Sequence, residues 1–317
     1  MSTSSQNLNL ISKVENRWDH KDSLKVEWNL GKRCNYDCSY CPASIHDNFS
    51  PHTDIELLKQ TVDKLFNIGK PLRISFTGGE PTVHPKFEEL LAYIKEKEPE
   101  YISVTTNGTR NNKYYESLPV NNIVFSMHFE DPWERVAETI VLFSLFNWKY
   151  DAHIQVNLMA HHLHMDEVKK CSEYLEKNKI PYVVRRLRWT EGDHDVFDDN
   201  KYTKEDLEWV LSKDAQVKPN TFIHYSDNRE MKILHANDVI KLHLNQFKGF
   251  TCNAGLESLM INWDGEVSRS TCRVGGSLGN IYQGTFIIPT EPIDCTRNFC
   301  TCAADIPLTK YAKNNSN

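Results

Sequence analysis

Six short β-like runs alternate with amphipathic helical patterns between residues 24 and 187. The runs span residues 24–30, 73–77, 101–106, 122–128, 152–159 and 182–187. Strands that alternate with helices in this way build a parallel sheet through right-handed crossovers. The sequence therefore predicts an α/β fold, a TIM-like partial (β/α)6 barrel, in which ligands bind in the loops that follow the carboxyl ends of the strands.

The predicted helices carry their own start and stop signals. Thr53 and Glu56 have the spacing of a capping box, and Gly69 is placed to end the helix that follows. Pro85 is placed to open the second helix, and a later helix is predicted over residues 165–178. These signals support the alternation of strands and helices along the first half of the chain.

The pattern changes after the predicted barrel. Residues 196–249 are predicted to form a helical connector, with helices at 204–212 and 237–247. A hairpin is predicted within residues 250–310, with strands at 259–261 and 266–269. The predicted domains are an N-terminal extension (1–23), the barrel (24–195), the connector (196–249), a small cysteine-rich domain (250–310) and a tail (311–317).

Composition and charge argue against several functional classes. The 37 Lys and Arg against 43 Asp and Glu give a formal net charge of -6, which argues against non-specific nucleic-acid binding. The polar N-terminus predicts no signal peptide, and the longest apolar stretch, residues 140–146, is too short to cross a membrane. We therefore expect a cytoplasmic protein without a nucleic-acid or membrane partner. In a reducing compartment, clustered cysteines are expected to be metal ligands rather than disulfides.

Three of the nine cysteines form a C-x3-C-x2-C motif directly after the first predicted strand: Cys34, Cys38 and Cys41. Three thiolates on one short loop can hold three irons of a [4Fe–4S] cluster and leave the fourth iron open, as a catalytic metal centre requires. Two other interpretations stay open from the motif alone. It could form a zinc knuckle, with His46 or His52 as fourth ligand, or it could hold an electron-transfer cluster.

Several motifs, in chain order, resemble those of the radical S-adenosylmethionine (SAM) superfamily. The cysteine motif, with Tyr40 before its last cysteine, resembles the signature of that superfamily, and Gly78-Gly79-Glu80-Pro81 resembles its GGEP motif. Asn107 follows the third strand in a TNG-like sequence, Ser126 ends the fourth strand, and Asn157 lies on the fifth. The resemblance covers residues 24–187. It implies that the cofactor is bound by Gly78, Gly79, Glu80, Asn107, Ser126 and Asn157.

The resemblance implies a specific chemistry and specific cofactors. A [4Fe–4S] cluster on the three cysteines binds S-adenosyl-L-methionine through its open iron and, once reduced, cleaves it to methionine and a 5′-deoxyadenosyl radical. The radical removes a hydrogen atom from the substrate, while the protein orients the reactants and excludes water. The resemblance also implies an external one-electron reductant of the flavodoxin or ferredoxin type.

The C-terminal cysteines resemble the auxiliary-cluster modules called SPASM and twitch domains. Two cysteines flank the predicted hairpin and three follow it: Cys252, Cys272, Cys295, Cys300 and Cys302. Six residues separate Gly265 from Cys272 where the SPASM pattern has four, and the usual C-x2-C is absent. The resemblance implies a second [4Fe–4S] cluster on Cys252, Cys272 and two of the last three cysteines. A structural zinc site would suit four thiolates equally well.

Taken together, these features predict a radical SAM oxidoreductase that acts on a small polar metabolite or a peptide side chain. An auxiliary cluster near the substrate could accept the electron left after hydrogen abstraction, which favours net oxidation. The alternative from another class is a non-catalytic protein that binds zinc or iron–sulfur clusters on the same barrel.

Other polar residues near the ends of the predicted strands are candidates for catalysis or substrate binding. Glu191, Asp193 and His194 follow the sixth strand and could supply a general base. His128, at the end of the fourth strand, is a candidate substrate contact. The arginines within residues 183–188 lie on alternating faces of the predicted strand, and one of them could bind a carboxylate or phosphate.

Overall fold

The computed structural model describes residues 11–16, 22–187, 189–191, 194–196, 198–213, 221–233, 236–302 and 304–313. The chain forms two compact units. The first unit comprises Met1–Glu27, Asp63–Arg73 and Gln216–Asn317, and the second comprises Trp28–Val62 and Ile74–Ala215. Each unit contains one of the two sets of clustered cysteines. No helix in the described part of the chain is both long and apolar enough to span a membrane.

The described residues form seventeen strands and seven α-helices. The strands are β1 (Ile11–Asn16), β2 (Leu24–Asn29), β3 (Leu72–Thr77), β4 (Tyr101–Thr106), β5 (Asn122–Met127), β6 (His153–Ala160), β7 (Tyr182–Arg186), β8 (Trp189–Glu191), β9 (His194–Val196), β10 (Thr221–Tyr225), β11 (Glu230–Ile233), β12 (Thr251–Cys252), β13 (Ser258–Ile261), β14 (Glu266–Ser268), β15 (Ser277–Asn280), β16 (Ile293–Asp294) and β17 (Lys310–Tyr311). The helices are α1 (Ile55–Phe66), α2 (Phe87–Glu96), α3 (Asn112–Ser117), α4 (Glu134–Phe146), α5 (Met165–Lys177), α6 (Lys204–Ser212) and α7 (Ala236–Lys241).

The central sheet follows the order of the chain, β2-β3-β4-β5-β6-β7. The pairs β4–β5, β5–β6 and β6–β7 are parallel, so the carboxyl ends of these strands lie at one edge of the sheet. All six strands lie within one residue of the runs predicted from the sequence. The predicted α/β fold with a parallel sheet is therefore confirmed.

The helices cover one face of this sheet with aromatic and aliphatic side chains. Phe76 of β3 packs edge-on against Phe87 of α2, with ring centroids 5.5 Å apart, and Phe125 of β5 packs against Phe143 of α4 at 6.0 Å. All four rings are fully buried, and burial of each contributes roughly 1.5–3 kcal/mol. Neighbouring strand residues point to opposite faces. The face away from the helices therefore carries a largely polar set of residues that includes Ser75, Thr77, Ser103, Thr105, Ser126, Gln155, Asn157 and Arg185.

The first unit contains an antiparallel sheet with the strand order β11-β10-β1-β17-β12-β16. β1 lies between β10 and β17, so residues almost 300 positions apart in the chain are neighbours, as in the pair Val14 and Lys310. Ile11, Ile223 and Phe247 belong to the core beneath this sheet. The hairpin predicted near residue 262 is also present, because β13 and β14 pair antiparallel with Met260 opposite Ser268.

Three local features differ from the predictions. The predicted capping residue of α1 was Thr53, but the Asp54 carboxylate accepts from the amide of Glu56 at 2.9 Å and from the next amide. The helix predicted at 237–247 ends at Lys241, because His243 takes a left-handed conformation (φ 55°) and the amide of Leu244 bonds back to the carbonyl of Val239. The segment predicted as a helical connector also contains the strands β10 and β11.

Two glycines allow the loop after β3 to lie against the backbone that follows β2. The amide of Gly79 donates to the carbonyl of Gly31 at 2.8 Å, and the amide of Glu80 donates to the carbonyl of Arg33 at 2.9 Å. A Cβ added at Gly79 would lie 2.2 Å from the carbonyl oxygen of Lys32, and one added at Gly78 would lie 2.6 Å from the Gly31 oxygen. Only glycine permits this close approach of two backbones.

We predict that Gly79→Ala lowers the free energy of unfolding by about 1–3 kcal/mol, because backbone atoms must move to admit the methyl group. Gly31→Ala is the matched control, since a Cβ there meets nothing within 4 Å. It should change stability by less than about 1 kcal/mol. Urea denaturation of both metal-free variants, followed by circular dichroism, measures the difference. Equal stabilities would show that the loop moves aside at little cost.

Candidate functional site

Three thiols lie on the loop that leaves the carboxyl end of β2: Cys34, Cys38 and Cys41. The amide of Cys41 donates to the carbonyl of Cys38 at 3.0 Å, which turns this segment tightly. The amide of Cys34 donates to the carbonyl of Asp47 at 2.7 Å and closes the loop at its far end. No disulfide joins any of the nine cysteines. The sequence motif is thus a short, hydrogen-bonded loop that carries three thiols.

Burial makes these thiols hard to ionise when no positive charge is near them. It raises the pKa of Cys38 to about 12 and that of Cys41 to about 11, and it also raises the pKa of Cys34. Neighbouring thiols and Glu130 add to the effect on Cys38. A thiolate is the form that binds a metal, and bound iron supplies the missing positive charge. The loop therefore suits a cationic centre that displaces the thiol protons.

Glu80 is a buried carboxylate in the loop that follows the carboxyl end of β3. Its Oε1 accepts from the amide of Thr82 at 2.9 Å, from the Thr82 hydroxyl at 2.6 Å and from the Thr106 hydroxyl at 2.8 Å. Its Oε2 accepts from the amide of Asn107 at 2.6 Å. Burial raises the pKa of Glu80, while these four bonds act in the opposite direction. Oε1 accepts three bonds and Oε2 accepts only one, so Oε2 keeps capacity for a further donor.

Asn107 connects the end of β4 to the cysteine loop. Its side-chain amide donates to Asn35 Oδ1 at 2.9 Å and lies 4.0 Å from the sulfur of Cys34. The same amide group accepts from the hydroxyl of Thr109 at 2.8 Å. Glu80, Asn107 and Cys34, which the sequence placed on three different loops, are thus brought together.

Ser126 and Asn157 are neighbours across the parallel pair β5–β6, where they stand in direct register. Asn157 Oδ1 accepts from Gln155 Nε2 at 3.0 Å and from Arg185 Nε at 3.3 Å. All four residues are half-buried. They form a polar patch on the sheet face away from the helices, next to the strand ends. Arg186 points elsewhere and pairs with Asp199 at 2.7 Å.

A second group of residues holds the cysteine loop from the ends of β5 and β6. The Glu130 carboxylate accepts from the amide of Ser39 at 2.8 Å and from the Ser39 hydroxyl. His161 Nδ1 accepts from the amide of Leu163, so its Nε2 carries the proton and donates to Glu130 at 3.2 Å. Burial lowers the pKa of His161, consistent with a neutral ring. Glu130 was not predicted, and its position after the end of β5 was the only available signal.

His128 lies within this group rather than at an exposed surface. Its Nδ1 contacts the Tyr40 hydroxyl and lies 3.5 Å from the sulfur of Cys38. Burial lowers the pKa of His128 to about 4, so the ring is neutral near pH 7. The structure therefore places this predicted substrate contact directly beside the cysteine loop.

Four thiols in the first unit line one cavity: Cys252, Cys272, Cys295 and Cys300. Asp305 and Lys310 line it as well, together with Arg297 and Phe299 at its rim. Cys302 is not part of the lining. Burial raises the pKa of Cys272 to about 11 and also raises the pKa of Cys252, which the Lys310 charge opposes.

The chemistry of both thiol sets fits iron–sulfur clusters. In the described residues, no three or more His, Cys, Asp or Glu side chains are arranged as ligands of a single metal ion. Three thiols on one short loop suit a cluster with one open iron, and four thiols around a cavity suit a fully ligated cluster. Asp193 lies outside the described residues, as do the side chains of Glu191 and His194, so the predicted general base stays a prediction.

Comparisons with known proteins match the second unit most directly. The model of the Radical SAM superfamily matches residues 28–184. The Fe-coproporphyrin III synthase of Methanosarcina barkeri is 40% identical over 85 residues, which are 26% of this chain and 21% of that protein. The subtilosin biosynthesis protein AlbA of Bacillus subtilis is 37% identical over 86 residues, 27% of this chain and 19% of that protein. The chain thus spans about a fifth of the length of these curated relatives.

Solved structures share the fold over most of the chain. Native anSMEcpe with bound AdoMet has a TM-score of 0.52 at 19% identity, covering 83% of this chain and 79% of that chain. Streptococcus suis SuiB bound to precursor peptide SuiA has a TM-score of 0.55 at 13% identity, covering 89% of this chain and 66% of that chain. Members of the radical SAM superfamily use a [4Fe–4S] cluster and S-adenosylmethionine, and the relatives of this chain include SPASM- and twitch-type enzymes. The family match contains the cysteine loop and Glu80. The chain therefore belongs to the radical SAM superfamily.

Proposed function

We propose that this radical SAM enzyme is an oxidoreductase that removes two electrons from a small polar substrate, with a second [4Fe–4S] cluster held by four cysteines of the first unit. The observation that carries the proposal is the single cavity lined by Cys252, Cys272, Cys295 and Cys300. Four thiolates can ligate all four irons, so no iron is left open for a substrate. A closed centre of this kind serves electron transfer better than substrate binding.

The second unit supplies the groups that would hold the first cluster and SAM. Cys34, Cys38 and Cys41 would bind the cluster, which supplies a one-electron reduction and a carbon radical when SAM is bound. Glu80 Oε2, with its remaining acceptor capacity, suits the ammonium group of SAM. Ser126 and Asn157 present a hydroxyl and an amide side by side, which suits the hydroxyls and carboxylate of the same ligand.

The polar sheet face supports a polar substrate. Ser103 and Gln155 lie on it beside the two residues proposed for SAM, and Arg185 adds a guanidinium group. Apolar ligands are usually bound by apolar walls, whereas hydroxyls and amides pair with donors and acceptors of the ligand. We therefore expect a small substrate rich in hydroxyl, amide or acidic groups. The relatives named above include both a bacteriocin biosynthesis protein, AlbA, and an Fe-coproporphyrin III synthase.

Electron balance gives the auxiliary centre its role. The substrate would lose a hydrogen atom to the adenosyl group, a proton to a base and one electron to an acceptor, which together amount to a two-electron oxidation. An auxiliary cluster supplies such a one-electron acceptor. Glu191, Asp193 and His194 remain the proposed source of the base.

We predict that changing Cys34, Cys38 and Cys41 to Ala lowers iron content from about eight to about four per chain after anaerobic reconstitution. The same variant should lose SAM cleavage to 5′-deoxyadenosine under dithionite, because its open iron is gone. Iron and sulfide assays and liquid chromatography measure both quantities. Cys171→Ala is the matched control, since Cys171 is a buried thiol of α5 outside both sets, and it should keep both.

Two results would contradict this proposal in different ways. Near-zero iron in the triple variant, especially with bound zinc, would exclude the auxiliary cluster. Absence of SAM cleavage by the fully reconstituted wild type under strong reductant would instead favour a non-catalytic metal-binding protein.

A further prediction concerns the ligands of the second cluster. In the triple-Ala background, Cys302→Ser should keep about four irons, because Cys302 does not line the cavity. Cys295→Ser and Cys300→Ser should each lose the iron or the typical four-iron absorption spectrum, because both thiols line it. Retention of the cluster by Cys295→Ser and its loss in Cys302→Ser would reverse the assignment.

A further inference from the structure

Lys310 is a buried lysine in the wall of the cysteine cavity. Its side chain is only 2% exposed, although lysine is among the residues that are rarely buried. It lines the cavity together with the four thiols. A buried charge is costly unless its surroundings compensate it, so its presence there calls for a physical reason.

The strand register places Lys310 beside one of the cysteines. β12 and β17 pair antiparallel, with Lys310 directly opposite Cys252. Side chains of directly opposed residues extend on the same face of a sheet, with Cβ atoms about 4.5–5.5 Å apart. The aliphatic stem of Lys310 therefore runs next to the Cys252 thiol.

Backbone carbonyls fix the charged end of the side chain. Lys310 Nζ donates to the carbonyl oxygens of Asp305 at 2.7 Å, Leu308 at 2.9 Å and Ile306 at 3.1 Å. An ammonium group has three protons, and each finds an acceptor here. The Phe247 ring lies 5.3 Å from Nζ on the core side. Lys310 is thus a positive charge of fixed position, with no proton left to bond a sulfur.

We propose that the fixed positive charge of Lys310 raises the reduction potential of the auxiliary cluster. This proposal rests on the cluster assigned above to Cys252, Cys272, Cys295 and Cys300. Reduction adds one negative charge to a centre that already carries four thiolates. A fixed cation in a poorly solvated wall stabilises the reduced cluster, which is the more negative of the two redox states. Net charge and solvent exposure are among the factors that set the reduction potentials of clusters. A higher potential makes the cluster a better acceptor of the substrate electron.

The other charged groups in the lining do not duplicate this effect. Arg297 is exposed at the rim, where water and salt screen its charge. The Asp305 carboxylate is buried and accepts from the amide of Cys272 at 2.7 Å, so it lies against a different ligand. Of the charged side chains in the described lining, Lys310 is the buried cation.

The test uses the full-length chain with Cys34, Cys38 and Cys41 changed to Ala, so that only the auxiliary cluster can be present. Lys310→Gln removes the charge but keeps two N–H donors for the three carbonyls. We expect it to lower the ratio of reduced to oxidised cluster at a fixed potential by at least about tenfold, a shift of about 59 mV for one electron. Redox titration followed by electron paramagnetic resonance measures this ratio.

Two further variants serve as controls. Lys310→Arg retains the charge and should keep the ratio within about threefold of the parent. Lys313→Gln removes an exposed lysine from the same terminal segment, where it pairs with Asp294 at 2.6 Å, and it should leave the ratio unchanged.

The possible outcomes separate this proposal from the function it rests on. If the parent holds no four-iron cluster, the auxiliary site itself is refuted and the role of Lys310 with it. If the parent holds the cluster and Lys310→Gln shows the same ratio of reduced to oxidised cluster as the parent, only the role of Lys310 is refuted. Loss of iron from both Lys310 variants in folded chains would show a requirement for the lysine in building the cavity, and would also refute a role in potential. If Lys310→Gln does not fold, a tenfold shift in Lys310→Arg overturns the proposal, because the charge is retained.

Discussion

The buried carboxylate of Glu80 is the interaction on which the second unit's site depends. It joins its own loop to the end of β4 through Thr82, Thr106 and the amide of Asn107. Hydrogen bonds to a charged group contribute about 1.5–3 kcal/mol each, and they offset the cost of burying the charge. Removal of the carboxylate would leave several buried donors without an acceptor. The positions of Asn107 and of the cysteine loop beside it therefore follow from one side chain.

Glu80 can reach this place only because Gly78 and Gly79 lack side chains. The backbone of residues 78–80 lies against that of residues 31–33, with two interloop amide–carbonyl bonds. The sequence resemblance implied that Gly78 and Gly79 bind the cofactor. The structure shows that the pair also brings two protein loops together, and a methyl group at either glycine would meet a carbonyl oxygen. The GGEP motif is thus a packing requirement of the cysteine loop, in addition to the cofactor-binding role proposed for it.

The structural features that depend on short-range sequence patterns could be predicted from the sequence. All six strands of the parallel sheet, the hairpin of β13 and β14, and the three-cysteine loop could be located because alternation, turn residues and cysteine spacing are local signals. The position of β1 between β10 and β17 could not be predicted, since strand pairing over hundreds of residues leaves no local trace. Glu130 was missed for a similar reason: its partner, Ser39, is about 90 residues away.

The two thiol sets are built differently, and this difference supports different roles. The three-thiol loop receives polar groups from the ends of β4, β5 and β6, which hold the loop without supplying a fourth thiol. The four-thiol cavity is formed by two-residue strands and turns, and in the turn at residues 305–308 the Lys310 ammonium donates to three backbone carbonyls. Buried carbonyls left unpaired would cost about 1–3 kcal/mol each, so this lysine has a structural reason to be present even without iron. Its charge then acts on whatever the thiols bind, because a carbonyl cage fixes an ammonium without neutralising it. Stability of the turn and the electrostatics of the cavity are therefore set by the same residue.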